Sequence, residues 1–464
     1  MLNDLLADVS CFPGGHASTL RGYGITNVFQ FLSLTMIHET HKGMCLALKI
    51  SAEELDVLAD LIRRQLPAAN ADLSPFMPGP HMLGLTLNDS QRARPLSGNI
   101  FKTSGLSSHI DHSPALGPVK NQGSRGTCVA FGTLAAFEHA TGKPNSLSEQ
   151  YLYYECKMHD GLSCEGTYIE TAMERLAESG VCRDKYWEYN PQQIEGNLGQ
   201  GPPPETAVSR AADNRVLSCE GMMQGNIAAL KRELAAGFLI PCGIVVFSSM
   251  GNASTREDGI VVMPFEGERG LGGHCVCLTG YIDDDSAPGG GWFFFRNSWG
   301  AEWAPRNMCG PGYGLLPYSY MEQYGASAHV IRETTSVDWN SFKLLRKMVS
   351  PQPFIHGVMM GFAMLVLAAA ILLSGQTGSA QPKKEASGNG RITAPEKNIP
   401  PAPQTGFTAR KEKHESLPRS MEPDPSGLSV ADRYEEDRAA YRRNRKSMET
   451  TRLILSELIT TLFN

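Results

Sequence analysis

The chain has 464 residues, of which 41% are hydrophobic and 19% are charged, and its formal net charge is -6. This length exceeds that of one ordinary domain and predicts two or three folded units with connecting segments. The negative charge argues against a broad basic surface, so no nucleic-acid partner is expected. The eleven cysteines are odd in number and lack the dense spacing of a small secreted disulfide scaffold. The first residues lack the basic start and apolar core of a cleavable signal peptide.

Residues 1–70 are predicted to form a small helical module. Apolar residues recur at three- and four-residue steps in LRGYGITNVFQFLSL and again in SAEELDVLADLIRRQL. Ser51 stands three residues before Glu54, a capping-box pattern that predicts the start of a helix. The glycine-containing turn GYGI between short helices resembles helix-hairpin-helix modules. Few basic residues flank this turn, so packing or docking of a protein partner is favoured over contact with DNA phosphate.

Residues 71–110 are predicted to be an irregular connector, because prolines interrupt them repeatedly. These prolines are Pro75, Pro78, Pro80 and Pro95. From residue 111 to residue 335 the chain alternates helical and strand-like patterns without an internal repeat. This alternation predicts one domain of mixed helices and strands that follows the helical module.

Residues 354–374, FIHGVMMGFAMLVLAAAILLS, contain no Asp, Glu, Lys or Arg. At about 1.5 Å per residue, a helix of this length spans roughly 30 Å, the thickness of a bilayer hydrocarbon core. A transmembrane helix is therefore predicted, and a buried core helix is the less favoured alternative because the flanking segments are polar. Basic residues flank the span on both sides, so the charge rule does not choose an orientation. They are Lys343, Arg346 and Lys347 before the span and Lys383, Lys384 and Arg391 after it.

The remainder of the chain is predicted to contain no packed domain. Residues 375–427 are rich in Pro, Ser, Gly, Lys and Glu and are predicted to be a disordered linker. Residues 428–464 are predicted to be an amphipathic helical tail, which suits a membrane surface, a partner helix or a simple solvated tail equally well. Its apolar face comprises Leu455, Leu458, Ile459, Leu462 and Phe463.

Cys128 carries the clearest chemical signal, within PVKNQGSRGTCVAFGTLAAFE at residues 118–138. A thiol at the start of an apolar helix lies near unpaired backbone N–H groups and the positive end of the helix dipole, which favour the thiolate. Cys128 is therefore a candidate nucleophile. Gln122 lies six residues earlier, and its side-chain amide is a candidate donor to a developing oxyanion, alongside the Cys128 backbone N–H.

This segment resembles the active-site signature of papain-like cysteine peptidases, here of bacterial type. SLSEQYLYYEC at 146–156 and CEGTYIETAMERLAESGVC at 164–182 resemble the helices that follow in that family. The resemblance covers about residues 111–335, the predicted peptidase domain. It implies an α+β, papain-like two-lobed fold, with a helical lobe and an antiparallel β-barrel-like lobe. The small helical domain precedes this fold, and one transmembrane helix follows it.

The same resemblance supplies the base and the residue that orients it. The family's Gly-His motif matches GGHCVCLTGYIDDD, where His274 lies 274 − 128 = 146 residues after Cys128, within the spacing of roughly 130–150 that is typical of the family. In WFFFRNSWGAEW, Asn297 matches the orienting asparagine and Trp299 the indole that covers it. The resemblance implies a thiolate–imidazolium pair in which each charge stabilises the other and lowers the cysteine pKa.

Two positions depart from the family pattern. Val129 stands where a tryptophan usually follows the nucleophile, and Arg125 replaces a cysteine that usually forms a disulfide with the position of Cys164. The missing bridge fits a reducing compartment and favours a cytoplasmic peptidase domain on a single-pass membrane protein. These departures also motivate an alternative, a catalytically inactive peptidase-like module that binds peptides or serves as a scaffold at the membrane.

No metal or other cofactor is expected. Cys156, His159 and Cys164 form one Cys/His cluster, and His274 forms another with Cys275 and Cys277, but neither has the Cys-x-x-Cys spacing of structural zinc. The predicted function is that of a membrane-anchored cysteine endopeptidase acting on a peptide or protein substrate. The sequence does not separate hydrolysis from transpeptidation. No segment resembles the long helical inhibitory prosegment of secreted relatives, and whether residues 1–110 restrain the site is left open.

Overall fold

The computed structural model describes residues 5–65, 72–76, 83–87, 105–142, 146–222 and 225–335. The predicted membrane span 354–374, the linker 375–427 and the tail 428–464 all lie outside these ranges and stay predictions. Within the ranges given, no helix is long and apolar enough to cross a membrane.

Four helices form the amino-terminal part of the described chain. They are α1 (Gly14–Arg21), α2 (Val28–Thr35), α3 (His38–Leu48) and α4 (Ala52–Gln65). A capping box of Asn27 and Gln30 begins α2. The predicted capping box at α4 is confirmed, because the Ser51 N–H donates to Glu54 Oε2 at 2.7 Å and the Glu54 N–H donates to Ser51 Oγ at 3.1 Å.

These four helices pack against a later loop of the chain. Their apolar core includes Val262 and Phe265, and the Tyr23 ring stacks on Phe265 with centroids 4.5 Å apart. Gly43 has no side chain at the closest approach, where a Cβ would lie 2.3 Å from the Phe265 Cβ. The helices therefore have a packing role within the chain, which is one of the two roles that the sequence left open.

A second group of helices surrounds α5. It consists of α5 (Cys128–Thr141), α6 (Glu149–His159), α7 (Ile169–Glu178) and α8 (Glu205–Ala211). Nearly every residue of α5 is buried, as its run of apolar and small residues requires. This helix contacts α6 and α7 on one side and strands of the sheet on the other, so its first residue lies where helices and sheet meet.

The strands that the structure describes form one antiparallel sheet. They are β1 (His109–Asp111), β2 (Val216–Met222), β3 (Ile240–Phe247), β4 (Gly270–Asp283), β5 (Gly291–Arg296), β6 (Tyr313–Pro317) and β7 (Gly325–Thr334). Their order is β2-β7-β3-β4-β5-β6, with β1 paired to β4. Three further helices accompany the sheet, α9 (Ile227–Ala235), α10 (Ala253–Asp258) and α11 (Tyr318–Tyr324). The predicted combination of helices with an antiparallel sheet is confirmed.

Two apolar cores lie on either side of the α5 start. One core is made mainly by α5 to α8 and receives Cys275 and Ala326 from the sheet. The other lies between the sheet and helices α9 and α11. The boundary between the two cores forms a groove, with the helical side as one wall and β4 as the other.

Candidate active site

Cys128 is the first residue of α5, directly after Thr127 at the N-cap position. Its side chain is completely buried. The sulfur accepts hydrogen bonds from two backbone amides, those of Gly84 and Cys275, each at 3.3 Å. Since Cys275 follows His274 on β4, the structure places the candidate nucleophile directly beside the strand that carries the candidate base.

His274 is held by Asn297 and covered by Trp299. Its Nε2 lies 2.8 Å from Asn297 Oδ1, and that oxygen also accepts the Ser298 N–H at 2.8 Å. An amide oxygen can only accept, so Nε2 carries the hydrogen and Nδ1 is the nitrogen that can take a proton. The Trp299 ring lies 4.8 Å from the imidazole, tilted by 31°, and Trp303 meets Trp299 edge-on at 5.5 Å.

The thiol and the imidazole do not form a hydrogen bond in this conformation. His274 Nδ1 is buried and has no hydrogen-bond partner within the part of the chain that the structure describes, while the sulfur is engaged by the two amides. The structure therefore brings Cys128, His274 and Asn297 to one groove but leaves the proton-transfer contact unmade.

Gln122 is completely buried and is hydrogen-bonded to Ser298 on the opposite wall of the groove. Ser298 Oγ donates to Gln122 Oε1 at 2.5 Å, and the Gln122 N–H donates to the Ser298 carbonyl at 2.8 Å. Gln122 Nε2 donates to the Arg125 carbonyl at 2.7 Å. The sequence analysis did not identify Ser298 as a site residue, although its position directly after Asn297 could have indicated it. Its hydroxyl fixes the orientation of the Gln122 amide, because Oε1 accepts from Ser298 while Nε2 donates to the Arg125 carbonyl.

Burial shifts the pKa values of both reacting groups toward their neutral forms. It raises the pKa of the Cys128 thiol to about 11, although the amides of Cys275 and Gly84 oppose this. It lowers the pKa of His274 to about 4, although the hydrogen bond to Asn297 opposes this. The expected lowering of the cysteine pKa is thus wrong for this conformation, because both groups lie out of water and dehydration penalises each charged form.

Comparison with known proteins agrees with this geometry. Residues 107–309 match the model of the papain family of cysteine proteases. This region is a papain-family cysteine protease domain.

Relatives of the protease domain occur in a virus and in plants. The chain is 28% identical over 233 residues to an uncharacterized peptidase C1-like protein of Acanthamoeba polyphaga mimivirus, covering 48% of this chain and 72% of that protein. It is 30% identical over 200 residues to chymopapain from Carica papaya, covering 41% of this chain and 50% of chymopapain. The chain therefore spans about half the length of that plant relative. Xylellain, a cysteine protease from Xylella fastidiosa, matches with 22% identity and a TM-score of 0.45, over 56% of this chain and 97% of that chain.

A short stretch from the predicted connector fills the groove of the protease domain. Residues 83–87, here called the occluding segment, cross between the two walls. The Leu85 N–H donates to the Gly273 carbonyl at 3.1 Å on the sheet wall. On the helical wall, the Thr86 N–H donates to the Thr167 carbonyl and the Thr167 N–H donates to the Gly84 carbonyl, both at 3.0 Å. Sequence reasoning missed these contacts.

Arg125 takes the place in which the family resemblance implies a cystine. Its side chain is completely buried and its guanidinium donates to three acceptors from distant segments. These are Gln150 Oε1 at 2.7 Å, the Asn190 carbonyl at 2.9 Å and the Leu198 carbonyl at 3.1 Å. The guanidinium also lies over the rings of Tyr153 and Tyr189 at 5.2 and 5.1 Å. Cys164, at the position whose partner cysteine Arg125 replaces, is exposed and has a free thiol.

The two Cys/His clusters do not form metal sites in the described ranges. No group of three or more His, Cys, Asp or Glu side chains there could hold a metal ion. In the first cluster Cys156 is buried whereas Cys164 is exposed, so their thiols lie in different surroundings. In the second cluster His274 is bound to Asn297.

Proposed function

We propose that the chain is a cysteine endopeptidase that cleaves peptide bonds by acyl transfer. The Cys128 thiolate attacks the substrate carbonyl, and the Cys128 backbone N–H and the Gln122 side-chain amide stabilise the oxyanion. His274 takes the thiol proton at Nδ1 and gives it to the leaving amine. Water then attacks the acyl-enzyme, with His274 as the general base, and the acid product leaves.

The observation that supports this proposal most directly is the hydrogen bond from His274 Nε2 to Asn297 Oδ1. It leaves Nδ1 as the only basic nitrogen, on a ring whose orientation Trp299 restrains. The sulfur lies beside the next residue of the same strand. Acyl transfer requires a base with a fixed tautomer next to a thiol, here a thiol on the first residue of a helix.

Replacement of Cys128 tests the proposal. With a broad library of fluorogenic peptides, the full chain is expected to release product, and the Cys128→Ala variant is expected to lose turnover by about 10³-fold or more. Peptides that bind without cleavage by the wild type would instead support the alternative of an inactive peptide-binding or scaffold module.

Transpeptidation uses the same acyl-enzyme, and a competing nucleophile distinguishes it. Hydrolysis yields a free acid even when an amine such as glycinamide is added. Amide ligation yields the glycinamide adduct as the main product, which mass spectrometry identifies.

The proposal extends to attachment of the protein to a membrane through residues 354–374, with the protease domain on the cytoplasmic side. The support is the uncharged, apolar sequence of that span and the missing disulfide. Tags placed at the two termini are expected to differ in protease accessibility in sealed vesicles. Equal digestion of both tags, with extraction of the chain by carbonate, would contradict the attachment.

A further inference from the structure

A second cysteine lies beside a histidine on the amino-terminal helices. Cys45 and His41 are one turn apart on α3, and the Cys45 Sγ lies 4.0 Å from the His41 Nδ1. The His41 Nε2 lies 3.0 Å from the Asp56 Oδ1 on α4. The three side chains thus connect a thiol to an imidazole and the imidazole to a carboxylate, across two packed helices. Contacts between a nucleophile and its base are often this loose in the resting state.

The carboxylate of Asp56 determines which nitrogen of His41 is basic. A carboxylate accepts hydrogen bonds, so the His41 Nε2 carries the hydrogen and Nδ1 keeps its lone pair. That lone pair faces the Cys45 sulfur. His274 has the same arrangement, with Nε2 bonded to an oxygen and Nδ1 left as the basic nitrogen. His41 is therefore oriented to take the proton of the Cys45 thiol.

The Cys45 thiol is accessible only in part and is protonated at rest. It lies at the edge of the apolar core of the four helices, while the side chains of His41 and Asp56 are 18% and 69% exposed. Burial, followed by the charges of Asp56 and Glu53, raises the pKa of Cys45 above the ordinary value of 9.0. At neutral pH the thiol consequently needs a base before it can react, and His41 is the base beside it.

Cys45 and Gly43 lie on opposite sides of α3. Gly43 is the point of closest approach to Phe265, where a Cβ would lie 2.3 Å from the Phe265 Cβ. Two residues further along a helix, a side chain has turned by about 200°. A group attached to Cys45 therefore projects away from the loop that the helices pack against, and the packing leaves room for it.

The position of Cys45 within α3 disfavours acyl transfer and favours disulfide exchange. Attack on a carbonyl builds negative charge on oxygen, which requires hydrogen-bond donors such as the unpaired N–H groups at a helix start. Cys45 is the eighth residue of α3, where the backbone N–H groups are bonded within the helix. Attack on a disulfide develops charge on sulfur alone, so it needs no oxyanion donor. Partial exposure of the thiol restricts the partner to a small disulfide.

We propose that Cys45 is a reversible thiolation site that reacts with low-molecular-weight disulfides, with His41 as its base. The thiol proton passes to the His41 Nδ1, and the Cys45 sulfur bonds to one sulfur of the small disulfide. The disulfide bond of the reagent breaks, and its second sulfur leaves and takes the proton from His41. The products are a mixed disulfide on Cys45 and one small thiol, and excess thiol reverses the reaction. This site is independent of the proposed peptidase function.

Oxidised glutathione tests the site on the full chain. The protein is incubated with it near neutral pH, and the mass of each cysteine-containing peptide is followed over time. Cys164 is the internal reference, because it is a free thiol more exposed than Cys45. We expect Cys45 to be thiolated about tenfold faster than Cys164, since a positioned general base accelerates proton transfer. Reaction of Cys164 ahead of Cys45 would overturn the proposal, because exposure alone would then decide the order.

Substitution of His41 tests the base. His41→Gln is expected to slow thiolation of Cys45 by about tenfold or more, while Cys164 reacts at the wild-type rate. His38→Gln is the matched control, because His38 is an exposed histidine at the start of the same helix, and it is expected to match the wild type. A His41→Gln variant that is folded by circular dichroism and thiolates Cys45 at the wild-type rate would overturn the role of His41.

Two substitutions of Asp56 separate its hydrogen bond from its charge. Asp56→Ala removes both, whereas Asp56→Asn keeps an oxygen that can accept from the His41 Nε2–H, as Asn297 does for His274. We expect Cys45 to react several-fold more slowly in Asp56→Ala than in Asp56→Asn. Asp60→Ala on the same helix, which removes a carboxylate paired with Arg63, is expected to match the wild type. Equal rates in the two Asp56 variants would overturn its role as a positioning residue.

Discussion

The two walls of the groove are stabilised by different kinds of interaction. On the helical wall, the backbone just before Cys128 is held by charged groups, since Arg125 donates to three acceptors and Glu165 accepts the Gly126 N–H at 3.0 Å. On the sheet wall, the surroundings of His274 are aromatic, since the Trp299 ring lies beside the imidazole and Trp303 meets Trp299 edge-on. Hydrogen bonds from charged side chains thus stabilise the backbone before Cys128, whereas aromatic rings that exclude water surround His274.

This difference indicates what each wall contributes to the site. Directional hydrogen bonds fix the position of the helix start, which sets where the sulfur and the oxyanion amide lie. Aromatic packing excludes water, which sets the protonation state of the imidazole. Changes to the helical wall should therefore appear mainly as loss of stability, and changes to the sheet wall mainly as altered dependence on pH.

The largest effect is expected from Arg125→Ala. The substitution leaves Gln150 and the carbonyls of Asn190 and Leu198 without their charged donor inside the fold, and each buried acceptor left unpaired costs about 1–3 kcal/mol. Urea denaturation followed by circular dichroism measures this free energy of unfolding. Arg125→Lys should recover little of it, because an ammonium cannot reproduce the planar fork of the guanidinium.

The matched control is Arg210→Ala. Arg210 lies 3.7 Å from Asp213, and both side chains are more than half exposed, so its loss should cost at most about 1 kcal/mol. Equal destabilisation by the two alanine substitutions would remove the distinction between a cross-linked helical wall and an ordinary protein surface.

A smaller effect is expected when His274 titrates. Its pKa is lowered from 6.5 to about 4 by burial, so between these values the unfolded chain binds a proton that the folded chain does not. The free energy of unfolding should therefore fall by about 3 kcal/mol on this account as the pH drops from 6.5 to 4. His274→Gln should lack this part of the acid destabilisation, as measured by urea denaturation across the pH range.

The exposed residue His38 provides the comparison for that experiment. Between pH 6.5 and pH 4, the free energy of unfolding of His38→Gln should fall by as much as that of the wild type. If the free energy of unfolding fell equally with pH in wild type and His274→Gln, water would reach the imidazole. The conclusion that aromatic packing excludes water from the sheet wall would then be wrong.

The sequence predicted the candidate site residues more fully than the contacts around them. Cys128, His274 and Asn297 could be proposed from the sequence because acyl transfer restricts the residue types and the family resemblance restricts their spacing. The occluding segment could not be found, because its place depends on pairing with Thr167 and Gly273 far along the chain. No local pattern of five residues encodes such a pairing.

At Arg125, too, the sequence predicted only part of what the structure shows. The sequence revealed that a cysteine of the family pattern is missing at this position. It did not reveal that a guanidinium occupies the space, because the acceptors come from two separate segments, α6 and the loop before α8, and two of them are backbone carbonyls, which carry no residue signature. Cys164 keeps a free thiol, since the cross-link at this place is made without oxidation.

The position of Gly84 along the chain has a consequence for the newly made protein. Translation produces residues 83–87 before Cys128 and long before His274, so the glycine is already present when the two walls first come together. The helical wall and the sheet wall of the newly made chain can therefore close around the chain's own backbone, and the Cys128 sulfur gains its hydrogen bond from Gly84 as soon as the groove forms.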